Sequence, residues 1–194
     1  MNQTRRVLLV TPALSVAQRR AAFDDGGPLD PVGAAQARAA AGSLPGGVPV
    51  LVSPSVRCEE TAAALGLASV AALPAPAGLD AGRWRGRTLD EVGAAEPEAL
   101  GRWLTDPEAA APGGESVAQV CARVARWLAD GEPGAGRLIA VVEPDVVRAA
   151  VVHAVGAPAA AFWRLDVAPL TVTEFSGRLG RWNVGIGRPL GATP

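Results

Sequence analysis

The side chains able to do chemistry are few, and most stand where apolar runs end. Glu143 and Asp145 flank Pro144 just after the run at 138–142. A carboxylate at such a place can serve as a general base when burial raises its pKa. Arg57 follows Ser53-Pro54 after a second run at 48–52. Its guanidinium fork suits phosphate or carboxylate oxygens, and it suits an ordinary structural contact at a helix start equally well. Thr11 follows a third run at 7–10 and offers a hydroxyl. The chain has one histidine, His153. Without a partner it lacks what a nucleophile or a metal site requires, so it reads as a helix-surface or packing residue. Cys58 and Cys121 match no metal-ligand spacing and read as buried or half-buried thiols in a reducing cytoplasm.

These groups can meet only if the runs that carry them lie side by side. The run at 7–10, VLLV, is short, apolar and β-branched at both ends, as expected of a central strand covered on both faces. The runs at 48–52 and 138–142 read the same way, and further strands are expected near 165–167, 171–175 and 182–184. Between them lie helical segments. One is alanine-rich over 31–44 and opens on Pro31, a first-turn residue. Others cover 57–65, 89–95 and 97–104. In the segment 116–129, Val117, Val120, Cys121, Val124, Trp127 and Leu128 share one helical face. The last runs from Pro144 to Val155 and is stopped by Gly156. Alternating strands and helices predict an α/β fold: a three-layer sandwich with a mostly parallel central sheet and helices on both faces. No repeat or linker divides the 194 residues, so residues 1–194 read as a single domain.

Composition excludes several classes of function. The net charge is -1, and no basic run supplies a nucleic-acid face, so no nucleic-acid partner is expected. No apolar run approaches the ~20 residues of a membrane span, so no membrane partner is expected either. Arg5-Arg6 before VLLV imitates a secretion signal, but Pro12 interrupts it and the segment reads better as the first strand. A cytoplasmic protein without metal or cofactor is expected. The five tryptophans, Trp84, Trp103, Trp127, Trp163 and Trp182, read as core fillers in a chain with three phenylalanines and no tyrosine, although some could anchor a homodimer.

The residues at the junctions of these segments resemble those of a known superfamily. Pro28-Leu29-Asp30-Pro31-Val32-Gly33-Ala34-Ala35-Gln36-Ala37 is similar to its helix start P-L-T-x-x-G-x-x-Q-A. Ser53-Pro54-Ser55-Val56-Arg57-Cys58-Glu59-Glu60-Thr61-Ala62 is similar to S-P-x-x-R-x-x-x-T-A, Gly82-Arg83-Trp84-Arg85-Gly86 to G-x-W-E-G, and Pro112-Gly113-Gly114-Glu115-Ser116 to P-G-G-E-S. Trp182 matches the closing strand. This ordered set resembles the histidine phosphatase, or phosphoglycerate mutase-like, superfamily. The resemblance implies a phosphoglycerate mutase-like sheet. It also implies a site in which one histidine, within R-H-G, takes up a phosphoryl group. A second histidine, within S-H-G, and two arginines bind its oxygens, and a carboxylate donates the proton.

The chain departs from that pattern at each catalytic position. Thr11 and Pro12 stand where R-H-G would begin, and proline offers no nucleophile. Glu143 stands for the second histidine. Gly78 stands for the proton donor, with Asp80 close by. Of the phosphate pocket only Arg57 remains, and Glu143 would face it, so the two are expected to pair. Gln18 lies near the pocket asparagine of the resemblance, and Arg85 replaces an acidic residue. With Arg57 and Thr11 they are the candidate contacts to a small anionic ligand. The expectation is therefore a catalytically degenerate, non-catalytic ligand-binding, regulatory or interaction protein. The alternative is a phosphomonoesterase-type hydrolase with an altered site that uses Glu143 and Asp145, or Thr11.

Overall fold

The structure, a computed structural model, describes residues 4–68, 76–130, 136–178 and 180–191. One sheet contains β1 (Arg5–Val10), β2 (Val50–Val52), β3 (Arg137–Val141), β4 (Thr171–Arg178) and β5 (Arg181–Pro189), in the order β2-β3-β1-β4-β5. β3 pairs in parallel with both β1 and β2. β4 runs antiparallel to β1, and β5 antiparallel to β4, so four of the five strands point the same way. The register sets Val10 and Val52 against Val141. The ends of β1, β2 and β3 are therefore level, and Thr11, Ser53 and Glu143 follow close behind them. The crevice beyond the carboxyl ends of such strands is where open α/β sheets bind ligands.

The period-2 alternation of the central strands divides their side chains between two cores. Val7, Leu9, Leu138 and Ala140 face one core; Leu8, Val10, Ile139 and Val141 face the other. Helices cover both faces, which explains why these strands carry no polar alternation. Seven helices occur among the described residues: α1 (Val16–Arg19), α2 (Pro31–Ala39), α3 (Val56–Ala64), α4 (Leu89–Ala95), α5 (Pro97–Thr105), α6 (Val117–Asp130) and α7 (Pro144–Val155). α6 and α7 cover the first core with Val120, Val124, Leu128, Val146 and Val147. Cys58 and Ala62 of α3 close the second. Asp30 caps α2 by accepting from the Gly33 amide at 2.6 Å, with Pro31 in the first position. Gly156 ends α7 at φ +66°.

Two expectations are corrected here. α2 stops at Ala39 rather than near residue 44. Gly42 adopts φ +78°, and Leu44 precedes Pro45, a setting that disfavours helical backbone. Residues 165–167 form no strand. They follow a 3₁₀ segment (Ala159–Arg164) and lead into Pro169, and the Leu165 carbonyl accepts from Arg148 Nε at 2.9 Å instead of joining a ladder.

The two glycine-rich motifs meet as a backbone clasp. Arg83 N donates to Pro112 O at 3.1 Å, and Glu115 N to Asp80 O at 2.8 Å. The approach is so close that a Cβ on Gly82 would lie 2.3 Å from Pro112 O, and one on Gly114 2.2 Å from Asp80 O. Beside the clasp, Trp84 and Trp103 are buried with Phe23, their ring centroids 5.6–5.7 Å apart. Among the described residues no helix is long and apolar enough to cross a membrane.

Candidate functional site

The ion pair expected between Arg57 and Glu143 is present. Ser55 caps α3 and places Arg57 in its first turn. Glu143 occupies the N-cap position of α7 with extended backbone, φ −60° and ψ 150°, and its side chain makes no cap bond. The carboxylate turns instead to Arg57. Nε of Arg57 donates to Oε1 at 2.9 Å, and Nη2 donates to Oε2, closing a bidentate fork. The Ser55 hydroxyl donates to Oε1 at 2.7 Å. Arg57 and Glu143 are each only 4% exposed. Burial works against the charged guanidinium of Arg57. The charge and hydrogen bonds of Glu143, with Asp24 nearby, outweigh it and raise the Arg57 pKa above its ordinary value.

Gly78 lies directly on this pair. A Cβ there would stand 2.8 Å from Cγ of Glu143 and 3.0 Å from its Cβ. Position 78, where the resemblance calls for a carboxylate, has no room for a side chain while Glu143 holds its present rotamer.

Cys58 also touches the pair, its Sγ 3.5 Å from Glu143 Oε1. Burial first, and then the Glu143 charge, push its thiol well above the ordinary range. Cys121 is half-buried, and burial raises its pKa too. Alkylation requires the thiolate. Iodoacetamide at pH 8 is therefore expected to modify Cys121 slowly and to leave Cys58 intact until the protein unfolds. Peptide mapping by mass spectrometry checks this; early modification of Cys58 would show that the pair is open in solution.

Arg57 forms part of the floor of a cleft of about 430 Å³ between α1, α5 and the start of α7. Gln18, Asp24, Asp145 and Arg148 supply its polar lining, and Phe23, Trp103, Trp163 and Leu79 much of its apolar wall. Of the residues singled out by sequence, the cleft gathers Arg57, Gln18 and Asp145. Gln18 is partly committed, because its Oε1 accepts from the Ser15 amide at 3.1 Å in the capping box of α1. Asp145 is held by Arg148 Nη1 at 3.1 Å and accepts from Leu79 N at 3.4 Å. Thr11 and Arg85 are not among the lining residues. The Thr11 hydroxyl donates to Ala168 O at 2.7 Å and also contacts Thr171. Arg85 is exposed. Pro12 is buried, and His153 is exposed in the last turn of α7.

Sequence reasoning passed over Asp24, Arg148 and Phe23 as site residues, and it read Trp103 and Trp163 as core fillers, whereas both line the cleft. Arg148 sits one turn into α7, with its guanidinium 5.8–5.9 Å from the ring centroids of Phe162 and Trp163. Its place just after Glu143-Pro144-Asp145 was the available signal. Asp24 and the aromatic residues come from distant segments and share no spacing. Among the described residues no group of three or more His, Cys, Asp or Glu is placed to hold a metal ion.

The profile of the histidine phosphatase superfamily (branch 1) matches residues 15–185. A bifunctional protein of Mycobacterium tuberculosis is 33% identical over 184 residues, which take in 89% of this chain and 50% of that protein. The chain thus spans about half the length of the curated relatives it matches. A mycobacterial glucosyl-3-phosphoglycerate phosphatase superposes with a TM-score of 0.79 at 23% identity, over 96% of this chain and 100% of that one. The alpha-ribazole phosphatase of Shigella flexneri gives 0.79 at 19% identity, over 97% and 100%. At such identities these two structures speak to the fold alone.

Proposed function

Since the chain belongs to the histidine phosphatase superfamily, we propose that it is a non-catalytic member, one that uses the fold and its cleft to bind rather than to hydrolyse phosphomonoesters. One observation carries this reading: the buried fork from Arg57 to Glu143, reinforced by Ser55. The anion-binding face of Arg57 is filled by a carboxylate of the chain itself. A phosphoryl dianion brought to that place would meet a like charge that is itself almost wholly buried, so the repulsion is weakly screened. Nucleophilic attack has no visible agent either. The one histidine is exposed far along α7, and the Thr11 hydroxyl is bonded to a backbone carbonyl, with no base among its partners. The relatives named as phosphatases lend the scaffold; the chemistry depends on the site.

Purified chain is expected to turn over p-nitrophenyl phosphate at less than about a thousandth of the ~10 s⁻¹ typical of enzymes. Vanadate is expected to bind no tighter than the millimolar range, about −4 kcal/mol. Enzyme-like turnover that disappears in Glu143→Gln would instead establish a hydrolase working through that carboxylate. Tight vanadate binding by the intact protein would show that Arg57 still serves anions.

A further inference from the structure

An edge strand presents a row of unused backbone N–H and C=O groups, and natural sheets blunt such rows by keeping edges short or by placing charges and prolines in them. One edge of this sheet follows that rule. β2 is three residues long and lies between Pro49 and Pro54. The other edge does not. β5 runs for nine residues, pairs on one side with β4, and among the described residues has no strand on its other side. Between Arg181 and Arg188 it carries neither a charge nor a proline.

The two faces of β5 differ in chemistry. Val184 stands opposite Phe175, and with Trp182 it lies on the side of the first core. Ile186 continues this apolar row and is 56% exposed. On the other face Arg181 stands opposite Arg178, Asn183 opposite Ser176 and Arg188 opposite Val172, a residue of the second core. That face is open at β5. Arg178, Arg181, Asn183 and Arg188 are exposed, and a Cβ on Gly185 would meet nothing within 4 Å. Among the described residues none of these three arginines forms an ion pair. Arg178 and Arg181 face each other directly, an arrangement that costs stability until a negative charge joins them. Glu174, the one carboxylate that β4 and β5 carry on this face, is 3.5 Å from Arg6.

The outer side of β5 therefore combines a row of backbone groups, an apolar row on one face and arginines at both ends of the other. A second copy of the chain matches it poorly, because β5 laid antiparallel on itself brings Arg181 of each copy alongside Arg188 of the other. A nucleic acid would engage the arginines and leave the apolar row without contact, and β4 and β5 carry no aromatic ring on the arginine face on which a base could stack. An extended segment with apolar residues on one face and Asp or Glu on the other satisfies all three features. We propose that the β5 edge takes up such a segment of a partner protein as a sixth strand, with Arg181 and Arg188 reading its carboxylates. Main-chain hydrogen bonds supply affinity in this mode of recognition, and the alternating side chains supply specificity. Guanidinium forks suit carboxylates. No residue of β5 lines the cleft, so this surface stands whether or not the cleft hydrolyses a phosphomonoester.

Two fluorescein-labelled peptides serve as probes, EVTVTVE and its charge-reversed form KVTVTVK, both with blocked ends and both titrated into the full chain by fluorescence polarisation. The acidic peptide is expected to bind with a Kd below about 100 µM. The basic one is expected to bind about tenfold more weakly or not at all, since two attractions become repulsions. Changing Arg181→Glu together with Arg188→Glu is expected to reverse the preference. Both side chains are exposed, so this variant should keep the fold, and circular dichroism verifies it. The comparison of the two peptides on the unaltered chain needs no variant. Hydrogen exchange read by mass spectrometry is expected to show slower exchange across Arg181–Pro189 when the acidic peptide is bound, a change that contact through side chains alone would not produce. Four results would overturn the proposal. They are no saturable binding of the acidic peptide, equal affinity for the two peptides, binding without slower exchange in β5, and a dimer of the unaltered chain whose β5 amides are already protected. The last would assign the edge to a second copy, and sedimentation velocity with exchange on the chain alone reveals it.

Discussion

Arg57→Met is expected to destabilise the chain by about 3–5 kcal/mol, the usual effect of removing one partner from a buried ion pair. The loss arises less from the missing attraction than from what stays behind. Glu143 is 4% exposed, and without Arg57 its carboxylate keeps only the Ser55 hydroxyl and a long contact from the Cys58 thiol. A buried carboxylate so poorly matched must recruit water or a proton, or shift its backbone. The N-cap position of α7 would shift with it, because Glu143 O accepts from Val146 N at 3.0 Å in the first turn of that helix. Replacing both partners, Arg57→Met with Glu143→Leu, is expected to recover most of the loss, since two apolar groups of similar size leave no charge uncompensated. Urea denaturation of the single and double variants measures both values, provided the slope of the transition is unchanged. A single-variant loss under about 1 kcal/mol would mean that the pair behaves like an exposed one.

Gly82→Ala is expected to cost about 3 kcal/mol or more, from a strained backbone together with a steric conflict that no rotamer relieves. Gly82 sits at φ +53°, and its added Cβ would meet Pro112 O at 2.3 Å and Gly114 N at 2.6 Å. Both atoms are backbone and belong to the clasp, so relief requires the segment at 112–114 to withdraw. That would loosen Arg83 N from Pro112 O and Glu115 N from Asp80 O. For a chain of this size such a loss corresponds to roughly 6–12 °C in Tm. Gly101→Ala is the control. Gly101 lies inside α5 with open space around its would-be Cβ, and alanine there should stabilise by about 0.5–1 kcal/mol. Differential scanning calorimetry of the two variants decides the matter; equal midpoints would show that the clasp is dispensable.

The clasp also shows how far sequence reading reached. The motifs around Gly82 and Gly114 were legible as family marks, but nothing in either segment says that each requires the other. Their glycines are needed because two backbones touch, and that is a tertiary fact. The central strands were legible for the opposite reason: burial on both faces leaves an unbroken apolar run that a single window detects. Arg57 and Glu143 could be matched because each follows a strand end and their charges are opposite. Asp24, Trp103 and Trp163 could not. They approach from a loop, a helix and a 3₁₀ segment far apart in the chain, and only folding makes them one wall. Residues 165–167 were misread because an apolar-polar alternation was present while the neighbouring proline, which disfavours a ladder, was given too little weight.

The contact between Gly78 and Glu143 works as a ratchet on descent. While the longer side chain occupies that corner, any mutation that lengthens residue 78 collides with it, since even the first carbon added would come within 2.8 Å. Trimming residue 143 first would strand the guanidinium of Arg57 in the interior. Neither single step is innocuous, so these positions are free to change only in concert. A library meant to coax new chemistry from this scaffold should randomise 57, 78 and 143 as one unit.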